Sequence, residues 1–255
     1  MALISYGGNL LTSNGYALHV TDPYNPLDVP RSTLRIALYP ARDIRPYIRD
    51  GAVWSVEEER RCWQIIGYET IGNREYLIMD YHLPNRDHPE LEWYSEIFNR
   101  RYSDMKVLGG DLTDRPVAFL FRNDRVLSDV AMVDTRNVRT NTGNTWDMSY
   151  AFDGCTALTN MAAWPTGNCS GWQCAFRNCI NLLEVPDFDM SGTIGMHSTF
   201  KSCQKVQTGA YRLYQKVSGL QDHDADVFTS CGINGGAAAV ADLHRIPASW
   251  GGLGS

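Results

Sequence analysis

The stretch Met148–Leu158, MSYAFDGCTAL, recurs twice further along the chain with the same internal spacing. The equivalent stretches are Trp172–Leu182, WQCAFRNCINL, and Met196–Val206, MHSTFKSCQKV, each starting 24 residues after the one before. Every copy carries a phenylalanine, a cysteine three residues later and an aliphatic residue three further on. Self-similarity at such a period is typical of stacked repeat units, because one unit alone cannot bury its apolar face.

The repeated positions extend beyond these three stretches and predict which residues form the core. A weaker unit contains Phe121, with Asp124 in place of the cysteine, and a last unit contains Phe228 and Cys231. We expect equivalent residues of neighbouring units to stack, the phenylalanines in one ladder and the cysteines in a second. The predicted core ladder comprises Phe121, Phe152, Phe176, Phe200, Phe228, Cys155, Cys179, Cys203, Cys231, Leu158, Leu182 and Val206.

The ladder cysteines have three interpretations, which are packing, disulfide formation in an extracellular particle, and metal binding. The chain has 7 cysteines, and reduced thiols are the default for a chain made in the cytosol. A zinc site needs close pairs such as C-x-x-C, which the sequence lacks. A free cysteine inside a repeat behaves as a small apolar residue, so packing is the favoured interpretation.

Composition bounds the class of protein. At 255 residues and 44% hydrophobic content the chain is long enough to bury a core, and its net charge of −6 argues against nucleic-acid binding. Among the basic residues, 19 are arginine and 4 are lysine, a bias that suits protein–protein interfaces. The sequence has no run of apolar residues long enough to insert into a membrane and no recognisable signal peptide. We therefore expect synthesis in the cytoplasm.

The composition and sequence pattern of the first 90 residues predict an arm followed by a small folded region. Residues 1–32 are rich in Gly, Asn, Pro and Tyr, with a hairpin turn expected at Ser13–Gly15, and are predicted to be an extended docking arm. Residues 33–90 are predicted to form a small α+β anchoring domain. Its strands are expected at Ser32–Pro40 and Arg74–Pro84. Ser55 and Glu58 form a capping box that starts a short helix or precedes a strand.

The repeats resemble the BspA-type leucine-rich repeats, in which M-x-x-M-F-x-x-C-x-x-L recurs. Met148, Phe152, Cys155 and Leu158 match this pattern, and the segment Ala237–Gly252 resembles the helix and closing phrase of such chains in gut phages. The resemblance implies a short leucine-rich-repeat solenoid with a C-terminal cap over residues 91–255. The expected fold class is thus α+β, with an arm and a small α+β region followed by a BspA-like solenoid.

The resemblance implies a non-enzymatic function. Proteins of this type include phage virion proteins and bacterial surface adhesins. The expected role is a bacteriophage virion structural protein, a fibre or decoration protein found in the virion and displaying repeats for host attachment. The alternatives are a bacterial cell-surface adhesin and a carbohydrate-active enzyme. Other virion proteins are expected as partners and should bind through residues 1–90. The chain is also expected to form a homo-oligomer, with a trimer favoured by analogy to fibres. The third expected partner is a glycan or protein on the host surface.

Motifs for chemistry are scarce in this sequence. No P-loop, nucleophile elbow, dinucleotide fingerprint or metalloprotease motif occurs, so no catalytic, metal or cofactor residues are assigned and no cofactor is expected. The triplet Asp222, Asp224 and Asp226 lacks the glycine and glutamate of a calcium loop, and His82 lies in a proline-flanked segment. Aromatic residues are the remaining candidates for binding, namely Trp146, Trp164 and Trp172.

Phe176→Ala tests the register of the repeats. If Phe176 lies in the ladder, the substitution should lower the free energy of unfolding by about 3–5 kcal/mol, as for other buried phenylalanines truncated to alanine. Denaturant unfolding of the purified variant measures this loss. A loss below about 1 kcal/mol would mean that the ring is exposed and that the register is wrong.

Overall fold

The computed structural model describes residues 12–13, 16–17, 32–49, 55–83, 91–140 and 143–255. Most of the predicted docking arm, residues 1–32, lies outside the described residues. Within it, strands β1 (Thr12–Ser13) and β2 (Tyr16–Ala17) pair antiparallel. This pairing confirms the hairpin expected around Ser13–Gly15.

A mixed sheet of seven strands dominates the structure. Its strands are β3 (Thr33–Tyr39), β4 (Trp63–Ile71), β5 (Arg74–His82), β6 (Asp104–Asp111), β7 (Leu127–Val130), β8 (Val133–Asp134) and β10 (Asn160–Met161). They run in the order β10-β7-β6-β3-β5-β4, and β8 pairs with β6. β3 is antiparallel to both β5 and β6, whereas β7, β8 and β10 join in parallel on the far side of β6.

The remaining elements are short and lie around this sheet and along the repeats. They are α1 (Val56–Arg61), α2 (Leu91–Arg101), β9 (Trp146–Asp147), β11 (Cys169–Gly171), α3 (Ala210–Val217), α4 (Ala237–Leu243) and 3-10 turns at Arg45–Tyr47 and Ala248–Trp250. The strands β9 and β11 pair in parallel with each other.

Local sequence signals account for the elements between residues 32 and 84. β3 and β5 confirm the two predicted strands. Ser55 accepts the backbone N–H of Glu58, whose side chain accepts the N–H of Ser55, so the capping box is formed. The sequence predicts a helix or a strand after Ser55, and both form, in succession, as α1 and β4.

The expected fold class, an arm and a small region followed by a solenoid, is wrong. The chain forms a sheet-rich α+β domain with few helices, built on one seven-stranded mixed sheet. Strands from both sides of the expected boundary at residue 90 belong to this one sheet, because β6 pairs with β3 along its whole length. The physical reason is that β6, the strand that precedes the repeats, would have unpaired backbone N–H and C=O groups along one edge. β3 forms hydrogen bonds with these groups.

The phenylalanines at the repeated positions stack on one another in the core. All five are fully buried. Successive ring centroids lie 5.4, 5.1, 5.1 and 6.2 Å apart, with interplanar angles of 21°, 6°, 3° and 6°. We call this set, Phe121, Phe152, Phe176, Phe200 and Phe228, the phenylalanine column. Offset parallel rings at this spacing add to the stabilisation that burial provides.

Each phenylalanine lies in a tight turn whose backbone is bonded to the next turn. Phe152 N donates to Ala175 O at 2.8 Å, and the later turns repeat this bond. The residue two after each ring has a left-handed backbone, and so does the residue two before it in every turn except that of Phe228, as at Tyr150 (φ 58°) and Gly154 (φ 78°). Glycine, asparagine and serine recur two residues after the ring because they tolerate that conformation or bond locally.

The ladder cysteines are buried next to the column. Cys155, Cys179 and Cys203 each donate S–H to the carbonyl of the phenylalanine in the preceding turn, at 3.1, 3.1 and 3.0 Å. The seven cysteines all lie in the described residues, and none of them forms a disulfide. Burial raises the pKa of these three thiols well above the usual value and that of Cys231 to about 12. The aliphatic ladder positions, Leu158, Leu182 and Val206, are buried as well.

Asp124 occupies the cysteine position of the first turn and is 1% exposed. Its Oδ1 accepts the backbone N–H groups of Val126 and Leu127, both at 3.1 Å. Its Oδ2 has no hydrogen-bond partner. Burial raises the pKa of this carboxyl to about 7, although the two backbone N–H groups act in the opposite direction.

Asp124 should make the stability of the protein depend on pH. The folded carboxyl holds its proton up to about pH 7, whereas the unfolded one releases it near 3.8. The contribution of Asp124 to the free energy of unfolding should therefore be most favourable below about pH 4. It should fall by on the order of 4 kcal/mol as the pH rises to 7. Asp124→Asn should remove this part of the slope in urea unfolding measured between pH 4.5 and 7.5.

The exposed Asp114, which also has a left-handed backbone, provides the control for that experiment. Asp114→Asn should keep the slope of the parent protein. If Asp124→Asn and Asp114→Asn show the same slope, the carboxyl of Asp124 is ionised in the folded protein throughout this pH range.

Candidate docking surface

The three tryptophans predicted to bind a ligand are core residues. Trp146, Trp164 and Trp172 are 3%, 2% and 0% exposed. Trp164 Nε1 donates to Ala131 O at 3.0 Å, and Trp172 Nε1 donates to Thr193 Oγ1 at 3.1 Å. Their rings offer no face to a ligand, so the interpretation of these residues as binding aromatics is wrong. Tryptophan buries more area than other residues, which favours the core when its N–H finds an acceptor.

The polar candidates make hydrogen bonds and ion pairs with their neighbours. Asp222 lies 2.8 Å from His197, and Asp226 lies 2.6 Å from Lys201. His82 contacts Thr33 through its ring Nδ1. In the part of the chain that the structure describes, no group of three or more His, Cys, Asp or Glu side chains could hold a metal ion.

Two open clefts flank the 3-10 turn Arg45–Tyr47, and Pro46 lines both. The first, which we call the charged cleft, has a volume of about 910 Å³ and lies against α1 and the start of β4. The second, which we call the aromatic cleft, has a volume of about 630 Å³ and lies between the 3-10 turn and α2. Both clefts are wide enough to receive side chains of a partner.

The aromatic cleft is built on one face of α2. Trp93, Ile97 and Arg101 lie at spacing i, i+4 and i+8 and line the cleft. Trp93 is 43% exposed. The guanidinium of Arg101 lies over the ring of Tyr47, 4.4 Å from its centroid, which holds the 3-10 turn against the helix through a cation–π contact.

The inner wall of the aromatic cleft is a buried polar pair. Tyr94 is 6% exposed and donates its hydroxyl to the carboxylate of Glu59, which is 4% exposed. Burial raises the pKa of Tyr94 far above its usual value, and the Glu59 carboxylate raises it further. The pair joins α2 to α1, because Glu59 lies in the latter helix. A buried charge with a specific hydrogen-bond partner fixes the geometry of the wall.

The charged cleft is held by arginine contacts. Arg45 binds Asp43 with both its backbone N–H and its guanidinium, at 2.9 and 2.6 Å. Burial alone would raise the pKa of Asp43, but the hydrogen bonds from Arg45 outweigh it and lower the pKa. Arg60 Nε donates to Arg45 O at 2.9 Å and ties α1 to the 3-10 turn. The turn therefore keeps its position between the two clefts.

The two clefts carry an excess of positive charge in a chain whose net charge is −6. Six arginines and four carboxylates line them. Arginine, tryptophan and tyrosine are the residues that contribute most to binding energy at protein interfaces. The arrangement is therefore suited to a protein partner with acidic and apolar side chains. The lining arginines are Arg45, Arg49, Arg60, Arg61, Arg100 and Arg101, and the carboxylates are Asp43, Glu57, Glu59 and Glu96.

The chain matches no protein-family model, no curated protein and no solved structure. None of the helices in the described ranges is long and apolar enough to cross a membrane. The resemblance to BspA-type repeats therefore stays a prediction that rests on the repeated residues themselves.

Tyr94→Phe tests the buried wall of the aromatic cleft. Loss of the hydroxyl leaves the Glu59 carboxylate without its tyrosine donor, and stability should fall by about 1–3 kcal/mol. Denaturant unfolding measures the fall. Tyr102→Phe is the control, because the Tyr102 hydroxyl donates to an uncharged carbonyl, Arg42 O, at 2.9 Å, and its loss should cost less. Equal losses in the two variants would contradict a special role for the Tyr94–Glu59 pair.

Proposed function

We propose that this protein is a non-enzymatic bacteriophage virion structural protein, a fibre or decoration protein. It docks on another virion protein through the aromatic cleft and carries the repeat units outward for host attachment. The observation that supports docking is the cleft itself, where Trp93, Tyr47 and Arg101 meet at an open surface. The resemblance of the repeats supports the virion assignment.

The charges of the cleft favour an acidic partner surface. Arg49, Arg100 and Arg101 line it. Of its two carboxylates, Glu59 is buried against Tyr94, and Glu96 lies 2.5 Å from Arg100. A partner that presents Asp or Glu beside an aliphatic or aromatic side chain would meet both the positive charge and the apolar ring of Trp93. Arginine suits such contacts because it binds carboxylates through two parallel hydrogen bonds.

The helix beneath the cleft is bonded directly to the first phenylalanine turn. Ser95 Oγ donates to Arg122 O, and Asn99 Nδ2 donates to Asn123 O, both at 2.8 Å. Asn99 Oδ1 also accepts the backbone N–H of Arg125 at 2.7 Å. The docking helix and the repeats are thus fixed to each other without a flexible linker. Such rigidity suits a protein that must hold one surface on a particle and present another outward.

The virion assignment is tested by labelling. Gold-conjugated antibody against the purified chain should decorate phage particles in electron micrographs, and the label should lie at one site on the head or tail. Label on bacterial envelopes with bare particles would overturn the virion proposal in favour of a surface adhesin. The host receptor, a glycan or a protein, and the trimer favoured by analogy to fibres stay predictions.

The docking role of the cleft is tested by charge reversal. Arg101→Glu should lower incorporation into particles at least tenfold, because it removes the cation–π contact and repels an acidic partner, and tenfold corresponds to about 1.4 kcal/mol. Incorporation is measured by quantitative immunoblotting of purified particles. Arg125→Glu, at an exposed arginine outside both clefts, is the matched control and should incorporate normally. Normal incorporation of Arg101→Glu would show that docking occurs elsewhere.

A further inference from the structure

Strands β3 to β6 carry a second, smaller apolar cluster that is separate from the main core. Its buried members are Ala37, Tyr76 and Ile78. Successive side chains of a strand point to opposite faces, and Ile36 and Leu38 belong to the main core, so Ala37 lies on the opposite face of the sheet. We call this the second face. The apolar side chains packed around the cluster, Tyr39, Ile66, Ile71 and Leu108, lie on the same four strands.

The second face is deeply buried. Ala37 is 0% exposed, and Tyr76 and Ile78 are 2% and 4% exposed. Beside them, Arg35 binds Asp80 through two parallel hydrogen bonds of 2.8 and 2.9 Å, and the side chain of this aspartate is 4% exposed. A sheet face that meets water carries accessible polar side chains instead. Burial of this depth requires other atoms to lie over the face.

The burial extends to the edge strand β4. Glu69 lies opposite Tyr76 in the register of β4 and β5, so it belongs to the second face as well. Burial raises the pKa of Glu69, although the charge of Arg35 acts in the opposite direction. A carboxyl group on an edge strand surrounded by water would not be desolvated in this way.

The described helices pack on the main core, at the other side of the sheet. The ring of Tyr94, on α2, contacts the rings of Trp63 and Tyr81, and its hydroxyl binds Glu59 of α1. The helices α3 and α4 contribute Leu213 and Leu243 to the same core. Among the described residues, none outside the four strands belongs to the apolar cluster of the second face.

The segment before β3 is well placed to reach the second face. β3 lies between β5 and β6, so a chain that enters it at Thr33 arrives at the middle of the sheet. Roughly five extended residues are enough to cross four strands about 4.8 Å apart. The other ranges outside the described residues are short. Residues 50–54 and 84–90 precede α1 and α2, which pack on the opposite face, and residues 141–142 are too few to cover a sheet.

The hairpin of β1 and β2 provides an independent observation. It forms a two-stranded sheet of its own, separate from the seven-stranded sheet. An isolated two-stranded hairpin is marginally stable in water and needs an apolar surface to pack on. From Tyr16 onwards, alternate residues of the sequence are apolar, namely Tyr16, Leu18 and Val20, which is typical of a strand with one face on a core.

We infer that the N-terminal segment, residues 1–31, packs on the second face of the sheet of its own chain. The second face is buried within a single chain, which favours this segment over a second copy or another protein, because either of those would leave the face exposed in the isolated chain. The segment predicted to be an extended docking arm then belongs to the folded domain. The aromatic cleft, which is built on α2 at the opposite face, stays open to a partner.

Site-specific photo-crosslinking of the purified full chain tests the inference. A p-benzoylphenylalanine in place of Ile66, on the second face, should crosslink to peptides from residues 1–31, and the product should migrate as a single chain in denaturing gels. The same group in place of Tyr68 is the matched control and should not crosslink to that segment, because Tyr68 lies opposite the core residue Leu77 and is 43% exposed. Mass spectrometry of the digested product identifies the peptides.

Two outcomes of the crosslinking overturn the inference. A product with the mass of two chains would show that a second copy lies on the second face. Crosslinks from position 66 that reach only peptides outside residues 1–31 would show that another part of the chain covers it.

Leu18→Asp combined with Val20→Asp provides a second measurement. Charges at these two positions should detach the segment and expose the second face, so binding of the dye ANS, which reports exposed apolar surface, should rise severalfold. His19→Asp, at the intervening position, is the matched control and should leave dye binding unchanged. Circular dichroism establishes that both variants are folded. Dye binding equal to that of the parent chain in the double variant overturns the inference, and because no particle is needed, the result is independent of the virion proposal.

Discussion

The pairing of β3 with β6 is the interaction on which the rest of this structure depends. β6 carries β3 on one edge and the parallel strands β7 and β8 on the other, so it joins the antiparallel half of the sheet to the repeats. Without β3, one edge of β6 would have no hydrogen-bonded neighbour. Without the repeats, the antiparallel strands would lose the apolar surface that continues into the phenylalanine column. One hydrophobic core therefore extends from Leu34 to Trp250.

Local signals in the sequence predicted local structure well. The capping box at Ser55, the strands β3 and β5, and the hairpin near Ser13 all depend on residues within a few positions of one another. The join between β3 and β6 depends on pairs such as Thr33 with Asp111, which no local pattern encodes. The repeat period identified equivalent residues but carried no information about what lies beside the first unit. That missing information is why the predicted fold class was wrong.

The aromatic cleft likewise combines a local pattern that the sequence contains with a long-range contact that it does not. The spacing of Trp93, Ile97 and Arg101 is a helical pattern that can be read from the sequence. Their meeting with Tyr47 depends on how the 3-10 turn docks, which the sequence does not reveal. Trp146, Trp164 and Trp172 were predicted to bind a ligand but are buried. Residue type alone does not distinguish an interface tryptophan from a core one. The arginine bias of the composition, in contrast, is reflected in the arginine-lined clefts.

The departure of Asp124 from the repeat pattern has a structural cause. In the next three turns the cysteine S–H donates to the phenylalanine carbonyl of the preceding turn, and the residue three positions on donates its N–H to the cysteine carbonyl, as Leu158 does to Cys155. The first turn has α2 before it instead of another phenylalanine turn, so a thiol would find no such carbonyl. Asp124 supplies an acceptor for Leu127 N through its side chain. The aspartate thus ends the pattern where the stacking partner changes from a turn to a helix, and a raised carboxyl pKa is the energetic consequence of burying an acceptor there.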